Sequence, residues 1–402
     1  MKGNIHKLKI LFTTLVIVYP ILSVYYSGFS SLTVADVLLL ILLVPIFFHY
    51  FRYKKISIRK SWIPFLIFLV VQFLVLNLHG IDDYGIMRIF RFALYYLVIA
   101  IGNSEFFDIN YGHKVLRNIS LCVSIFGLIQ AVGIYVFGVY IPGVLKFLPI
   151  MREELLTYGS EYVSGTLRVR SVFGEPAHLA IYLCVYLIIS LLSEGKKNIR
   201  EALIVTLCLI FSVSSTAYYL LFFIWGVYLL KSLWEKRDVS ANTVIYVICV
   251  CFICVIGIII LFNSGLWKLF WERNFVTGSS ISGRISGYEQ AFNKMYTPDV
   301  LNRLFGHGYD DYRGTYQFHY FAGIPLLYWY MGYVGLGLFL LIILWEFIIS
   351  KGIVSKMLII VIFMLGFVEQ IYVSYNLMLY MTFSIFFSST NKRTHHEERV
   401  DI

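Results

Sequence analysis

The sequence predicts an all-α polytopic membrane protein with about 12 transmembrane helices. Of its 402 residues, 59% are hydrophobic and only 14% are charged. A soluble domain has about 25% charged residues, so a water-soluble fold of this composition could not cover its apolar surface. The apolar residues are grouped into runs near the length of about 20 residues that a membrane helix requires. Lysine and arginine lie mainly in short clusters between these runs, as orientation signals do.

The predicted spans follow one another with mostly short connections. The seventh and eighth spans share a very short turn, "SSTA". The spans are residues 9–27, 32–50, 62–79, 85–102, 116–138, 177–193, 199–214, 216–233, 241–263, 321–348, 353–372 and 374–389.

The basic residues predict the orientation of the spans. With the N-terminus inside, the inner segments carry many Lys and Arg residues, whereas the short outer turns near 28–31, 80–84, 215 and 373 carry none. The positive-inside rule therefore places both termini in the cytoplasm. The first apolar run lacks a small-residue cleavage site, so no cleavable signal peptide is expected.

Two long extracytoplasmic loops, about 139–176 and 264–320, interrupt the spans. Both carry basic residues, which the charge rule permits in long loops, and loops of this length are usually functional. Residues 1–390 are expected to form a single integral membrane domain, in which helices 9–138 come first and helices 353–389 come last. Residues 391–402 form a cytoplasmic tail that is expected to be disordered.

Composition and charge exclude several classes of function. The six cysteines all lie in apolar stretches, so no disulfide framework is predicted. The cluster "CVCFIC" has no nearby His or carboxylate, and its cysteines are interpreted as small hydrophobes rather than as metal ligands. The net charge of +10 is spread over short clusters rather than gathered into a nucleic-acid-binding surface. No metal, cofactor or nucleic acid is expected.

The first long loop ends in a concentration of polar residues. Arg168 and Arg170 precede Glu175 and Pro176, and His178 follows just inside the sixth span. Proline suits the first turn of a helix, and Glu175 lies beside its positive end. Guanidinium groups bind phosphate through two hydrogen bonds, so paired arginines suit a diphosphate ligand. The alternative is that Glu175 only caps the helix, the arginines contact lipid headgroups and His178 is an interfacial residue.

The second long loop carries a further set of candidates. Arg284 lies in "GSSISGRISGYEQAF" and is expected to be a second phosphate clamp. His319, at the outer end of the tenth span, is a candidate base because histidine titrates near neutral pH. Tyr320 is a candidate for stacking on a sugar. The alternative is a loop lying on headgroups with a ring of interfacial aromatic residues.

Arg88 and Arg91 lie within the fourth span, three residues apart and therefore on one face. A charge at the bilayer centre costs about 2.5–3.5 kcal/mol even on the lenient insertion scale. These arginines should therefore face a polar interior or the outer interface, either in a structural ion pair or as further anion contacts. The expected partners are Asp36, Asp82, Asp83 and Glu369.

Four segments resemble, in order, those of the Wzy-type O-antigen and capsule polymerases, whose superfamily also contains the O-antigen ligases. These are "LRVRSVFGEPAHLAIYL", "FSVSSTAYYLLFF", "SGRISGYEQAF" and "FGHGYDDY…FHYFAGIPLLYWYMGYVGLGLFLL". The likeness covers about residues 165–345, and the first 140 residues match only in hydropathy. An Arg-x(10)-Gly pattern is often described for the outer loops of these polymerases. Arg303 and Gly314 fit it, and Arg303 is included among the candidate substrate-binding residues.

The resemblance implies a metal-independent inverting glycosyltransferase of the outer face of the bacterial cytoplasmic membrane. Such an enzyme joins polyprenyl-diphosphate-linked oligosaccharides without nucleotide sugars or cofactors, producing O-antigen, capsule or exopolysaccharide. It implies that Arg168, Arg170 and Arg284 hold the donor diphosphate and that Glu175 or His319 orients or deprotonates the acceptor hydroxyl. Membrane lipids, a chain-length regulator and a flippase of the same pathway are the further partners expected.

Two other functions remain open at this point. An O-antigen ligase would share the architecture and the anion site but would deliver the chain to a different acceptor. A lipid-linked oligosaccharide flippase or transporter would also have many spans, although transporters tend to hold charge near the midplane and to show repeated halves. This chain gathers charge in two outer loops and has no evident repeat.

Overall fold

The structure of the protein is a computed structural model. It describes residues 2–29, 32–53, 62–79, 83–102, 106–145, 148–150, 168–193, 198–235, 288–289, 293, 299–308 and 323–397. Within these ranges the longer elements are all α-helices, joined by a 3₁₀ turn at Ile371–Val373 and by isolated β-bridges in the outer loops. The fold is therefore all-α throughout the part of the chain that is described.

The helices are numbered here in chain order. They are α1 Lys2–Leu22, α2 Val34–Tyr53, α3 Trp62–His79, α4 Asp83–Gly102, α5 Ile109–Phe137, α6 Pro176–Leu192, α7 Ile199–Phe211, α8 Ser215–Glu235, α9 Val300–Phe305, α10 Ile324–Ile349, α11 Ile353–Gly366 and α12 Tyr375–Glu397.

Each predicted span coincides with one of these helices except the ninth, 241–263, which lies outside the described residues. The short turn between α7 and α8 is confirmed, and Val213 within it adopts a left-handed conformation with φ 46°. Several boundaries were predicted wrongly: α1 covers Lys2–Leu22 rather than 9–27, and α5 begins at Ile109 rather than near residue 116. Helix α11 ends at Gly366 rather than near residue 372, and α12 continues through Glu397, so residues 391–397 extend a helix that was expected to end before them.

The helices have the length and surface of a membrane-embedded protein. Four segments are long and apolar enough to cross a membrane: Ile5–Leu22, Ile109–Phe137, Ser215–Trp234 and Ile324–Ile349. Shorter apolar helices accompany them at Val34–His49, Ile63–Leu78, Pro176–Leu192 and Ile353–Leu365. Large apolar side chains remain exposed on the flanks of α2, α5 and α8, as a surface in contact with lipid tails permits.

Helix α6 forms the centre of the bundle. All its residues except Ala177 and His178 are buried, and a helix that is apolar on every face belongs in the interior. It packs on α7, α8 and α11, while α12 packs on α11, α4 and α1. Tyr380 of α12 donates a hydrogen bond to the carbonyl of Ile181 at 2.8 Å, which fixes these two helices to each other.

The inner ends of α5, α6 and α7 are joined by polar contacts. Arg117 on α5 forms an ion pair with Glu201 on α7, with Nε 2.8 Å from Oε2. Tyr186 on α6 donates a hydrogen bond to the same carboxylate. These contacts lie at the end of the bundle that the charge distribution assigns to the cytoplasm, away from the candidate site residues.

Helix α10 is broken at Gly332, where the backbone has φ 59° and ψ −157°. The short helix α9 packs against the break. A Cβ atom at Gly332 would lie 2.5 Å from the carbonyl carbon of Leu304, so only glycine admits α9 this closely. The second long loop therefore contains a helix that packs into the bundle, a feature that the sequence did not predict.

Candidate functional site

The candidate site lies at the outer end of the bundle, defined as the end where α1 finishes and α2, α4, α6 and α12 begin. At its base is the carboxylate of Asp36, which is 1% exposed. Tyr19 donates a hydrogen bond to Asp36 Oδ1, and the backbone N–H and hydroxyl of Thr33 donate to Oδ2 at 2.8 and 2.9 Å. The Nε atom of Arg91 lies 3.4 Å from Oδ2. Asp36, one of the four carboxylates expected near the arginines of α4, is thus the partner of Arg91.

Aromatic rings connect this ion pair to His178 on α6. The hydroxyl of Tyr19 also approaches that of Tyr95 at 3.4 Å. The centre of the Tyr19 ring lies 5.8 Å from that of Tyr375, and the centre of the His178 imidazole lies 6.2 Å from that of Tyr375. Residues from α1, α4, α6 and α12 therefore meet in one cluster, although they are far apart in sequence.

Arg88 lies one turn from Arg91, nearer the outer surface. Its Nη2 donates a hydrogen bond to Gln370 Oε1 at 3.2 Å, and its guanidinium lies over the ring of Tyr330 at 4.8 Å. Gln370 belongs to the turn between α11 and α12, and its neighbour Glu369 accepts a hydrogen bond from Thr216 at 3.5 Å. This turn therefore joins α4, α8 and α10 at the outer end.

The second long loop reaches the same turn. The hydroxyl of Tyr288 donates a hydrogen bond to the carbonyl of Phe367 at 2.7 Å. Tyr288 follows Arg284 by four residues in the sequence. Arg284 itself, together with His319 and Tyr320, lies outside the described residues, so their predicted roles as phosphate clamp, base and sugar contact remain predictions.

Glu175 occupies the N-cap position of α6, with extended backbone angles, and Pro176 takes the first helical position as expected. The Glu175 side chain makes no capping hydrogen bond to the helix, and it is exposed. The alternative that Glu175 serves only as a helix cap therefore has no support in the geometry. An exposed carboxylate three residues before His178 is compatible with a role towards a substrate hydroxyl.

Arg168 and Arg170 belong to a segment that enters the bundle beside α5. Arg170 is 1% exposed, and its guanidinium lies 5.3 Å from the centre of the Tyr140 ring. Arg168 is close enough to Tyr135 on α5 to affect it electrostatically. Because Arg170 is buried, the alternative in which both arginines contact lipid headgroups is wrong for Arg170.

A small polar network fixes the position of this segment. Ser171 has φ 52°, and its backbone N–H donates to Gln130 Oε1 at 2.7 Å. Its hydroxyl donates to the carbonyl of Val123 at 2.8 Å. Gln130 in turn donates to the carbonyl of Ile141 at 2.7 Å. One buried glutamine on α5 therefore holds both ends of the first long loop, and this fixes the backbone that carries Arg170.

Arg303 lies on α9, beside the break in α10. It is close enough to Tyr328 to interact electrostatically, and among the described residues its buried Nε has no hydrogen-bond acceptor. The next turn of the loop caps the break, because His307 donates its backbone N–H to the carbonyl of Trp329 at 2.7 Å. The His307 and Trp329 rings stack at 4.1 Å.

The predicted residues thus form three groups at the outer end. The first joins Arg88, Arg91 and His178 through the tyrosine cluster and the turn at 367–374. The second holds Arg168 and Arg170 beside α5, and Gly174, just beyond it, lies near Val24 at the end of α1. The third is Arg303 beside α10, close to Tyr328, which lies two residues before the tyrosine that Arg88 covers.

Several site residues were not identified from the sequence. They are polar or aromatic residues within apolar runs that have the composition of a membrane-spanning helix: Tyr19, Tyr95, Gln130, Gln370 and Tyr375. A polar residue within an apolar span is costly and is therefore a signal of an interior site. Gln130 carries that signal clearly, whereas the tyrosines are not distinguishable in sequence from ordinary interfacial residues.

No family model matches the chain, and no curated protein matches it in sequence. Within the described ranges, no group of three or more His, Cys, Asp or Glu side chains is placed to hold a metal ion. The chemistry of the site therefore has to be inferred from the charges and contacts at the outer end of the bundle.

Proposed function

We propose that the protein polymerises polyprenyl-diphosphate-linked oligosaccharide repeat units on the outer face of a bacterial cytoplasmic membrane. The observation that carries the proposal is the presence of Arg88, Arg91 and Arg170, in two separate groups, at the outer end of an apolar bundle. Cations in such surroundings are expensive, and they are typical of sites that receive an anion. A lipid diphosphate supplies this anion together with a tail that belongs in the membrane.

The arrangement suits a glycosyl transfer in which the diphosphate leaves. The acceptor hydroxyl oxygen attacks the anomeric carbon of the donor sugar, and a new C–O bond forms as the bond to the diphosphate oxygen breaks. The electron pair of that bond leaves with the diphosphate, whose growing negative charge is balanced by fixed guanidinium groups. Because the cations are held by the fold, they need no reorganisation during the reaction.

The proton of the acceptor hydroxyl needs a base. Glu175, exposed at the start of α6, and His319 are the two candidates, and His178 lies one helical turn from Glu175 on the side of the tyrosine cluster. The resemblance to Wzy-type polymerases supports the same choice of donor and, among these arginines, the role of Arg170. It also supports a reaction without a cofactor or nucleotide sugar, in partnership with a flippase and a chain-length regulator.

The proposal is tested with purified protein in lipid nanodiscs and a synthetic polyprenyl-diphosphate-linked repeat unit, without nucleotide sugar or metal. We expect a ladder of products that grows by one repeat unit at a time, seen by gel electrophoresis and mass spectrometry. Transfer only to an added lipid A core would indicate a ligase instead. Absence of any new glycosidic bond with either acceptor would contradict the proposal.

A transporter of lipid-linked oligosaccharide is a second candidate, favoured by the break in α10. Discontinuous helices are common at the binding sites of secondary transporters. The break at Gly332 comes eight residues after α10 begins at Ile324, about 12 Å along this 26-residue helix and so nearer its middle than its outer end. Movement of a fluorescent lipid-linked oligosaccharide across proteoliposomes, with no ladder formed, would establish this alternative.

A further inference from the structure

A groove on the lipid-facing side of the bundle runs between α2 and α4. It encloses about 290 Å³ and is lined only by apolar side chains. From α2 these are Leu40, Leu43, Val44 and Phe47, and from α4 they are Phe90, Ala93, Leu94 and Leu97. Leu43 and Leu94 are buried and form the floor, whereas Val44, Phe47 and Phe90 are exposed at the rim. The groove therefore opens sideways onto the surface that faces lipid.

The Asp36–Arg91 pair lies beside the outer end of this groove. Asp36 lies one helical turn before Leu40 on α2, and Arg91 lies three residues before Leu94 on α4, so both occupy the helix faces that line the groove. From this pair the groove continues inwards for about 10 Å along each helix. A ligand in the groove would thus have its apolar part between the helices and its polar end beside Arg91.

The guanidinium of Arg91 has a hydrogen-bond donor that is not used within the described part of the chain. The carboxylate of Asp36 already accepts hydrogen bonds from Tyr19 and from two donors of Thr33. The Nε atom of Arg91 faces Asp36 Oδ2 at 3.4 Å, whereas its buried Nη2 has no hydrogen-bond acceptor in the described part of the chain. Arg88 adds a second cation one turn away on α4, so this end of the groove carries two guanidinium groups that can attract an anion.

We propose that the α2–α4 groove binds the polyprenyl tail of a lipid diphosphate whose phosphates are held by Arg91. This inference rests on the proposed function and adds to it the path by which the lipid reaches the site from the membrane. A polyprenyl diphosphate presents one hydrocarbon chain to the groove, whereas a phospholipid presents two. A diphosphate also matches the two arginines of α4 better than a phosphodiester does. The rest of the tail lies in the bilayer.

The test measures binding of a polyprenyl diphosphate that carries no sugar, by native mass spectrometry of the full chain in phosphatidylcholine nanodiscs. We expect Ala93→Phe, which fills the groove, and Arg91→Gln, which removes the cation, each to raise the Kd at least about tenfold. The control is Val136→Phe, which adds the same ring at a side chain of α5 that is 69% exposed. It should bind as the unmodified protein does, and excess phosphatidylglycerol should not displace the ligand.

A second measurement serves if Ala93→Phe fails to fold. The photoreactive residue p-benzoylphenylalanine replaces either Phe47 at the rim of the groove or Phe222, an 86% exposed residue on α8. Polyprenyl diphosphate should be captured at position 47 and not at position 222. Equal capture at both, equal displacement by phosphatidylglycerol, or unchanged binding by a folded Ala93→Phe protein would each overturn the inference.

These outcomes are independent of polymer formation. A protein that binds the lipid in the groove but makes no glycosidic bond would refute the proposed function and leave the groove assignment standing. A protein that makes polymer while its groove variants bind lipid normally would refute the groove assignment and leave the proposed function standing.

Discussion

Arg170 illustrates how single residues build this site. Its guanidinium is buried against Tyr140, and the next residue, Ser171, adopts a left-handed conformation that ordinary side chains rarely take. Strained backbone and a buried cation are both unfavourable, and they persist only where the surrounding structure enforces them. Gln130 provides that enforcement through its hydrogen bonds to both sides of the loop.

The Asp36–Arg91 pair gives a prediction at the same scale. Asp36→Ala leaves Arg91 without its carboxylate and removes the acceptor for Tyr19 and Thr33. Breaking a buried ion pair from one side costs about 3–5 kcal/mol, and the partial exposure of Arg91 places this case at the lower end. We expect a clear fall in the melting temperature of the purified protein in detergent, measured by intrinsic fluorescence.

The control for this substitution is Asp299→Ala. Asp299 also caps a helix, α9, through a hydrogen bond to the backbone N–H of Leu301, but it is exposed. Its removal should cost about 1 kcal/mol or less. Equal melting temperatures for the two variants would show that the buried pair is not a structural requirement of the outer end.

At the scale of elements, the break in α10 is the feature with the clearest physical cause. The sequence "GYVGLGLF" predicts close helix packing, and glycine does permit a close approach here. The approaching element, however, is α9 from the second loop, and Gly332 takes a conformation that interrupts the helix. The local sequence does not distinguish a broken α10 from a continuous one, because the same glycines are compatible with a continuous span.

Two glycines of α10 offer a matched test of the break. Gly332→Ala forces a side chain into φ 59° and against the backbone of Leu304. We expect it to destabilise the protein by about 1–2 kcal/mol or more. Gly337→Ala introduces a methyl group into open space within a regular part of the helix and should be neutral or stabilising by up to about 1 kcal/mol. Melting temperatures in detergent give the comparison.

The same pair also tests whether α9 matters for function. Since Gly332 holds Arg303 and His307 beside α10, Gly332→Ala should reduce polymer formation at temperatures where the protein is still folded. Full activity and stability in Gly332→Ala would indicate that the break is not needed for the packing of α9.

At the scale of the whole molecule, orientation is the property on which the other assignments depend. The site is external only if the turn between α1 and α2 faces outwards and the turn between α10 and α11 faces the cytoplasm. Phe29 in the first turn is 64% exposed, and Lys351 in the second is also exposed. These two positions report on opposite ends of the bundle.

We predict opposite labelling of cysteines at these positions in a variant whose six native cysteines are replaced. Phe29→Cys should react with a membrane-impermeant maleimide in intact cells. Lys351→Cys should react only after the membrane is permeabilised. Reversed labelling would place the arginine groups on the cytoplasmic side and would exclude an extracytoplasmic polymerase.

The sequence predicted the positions of the helices well, because long apolar runs bounded by polar turns leave little choice of structure in a membrane. It also placed Arg88 and Arg91 on one face, since helical periodicity is a local property, and it named Asp36 as one of four possible partners. It did not predict the burial of Arg170 or the meeting of Tyr19, Tyr375 and His178. Those depend on how distant helices pack, which a single sequence does not encode locally.

The most direct test of the account is the initial rate of glycosidic bond formation by purified protein carrying Arg170→Gln. Removal of a fixed cation that stabilises the leaving diphosphate should lower this rate about a hundredfold or more. Arg200→Gln, which neutralises an exposed arginine at the start of α7, should leave it unchanged. Equal rates for a correctly folded Arg170→Gln protein and the unmodified one would contradict the claim that buried arginines at the outer end hold the diphosphate.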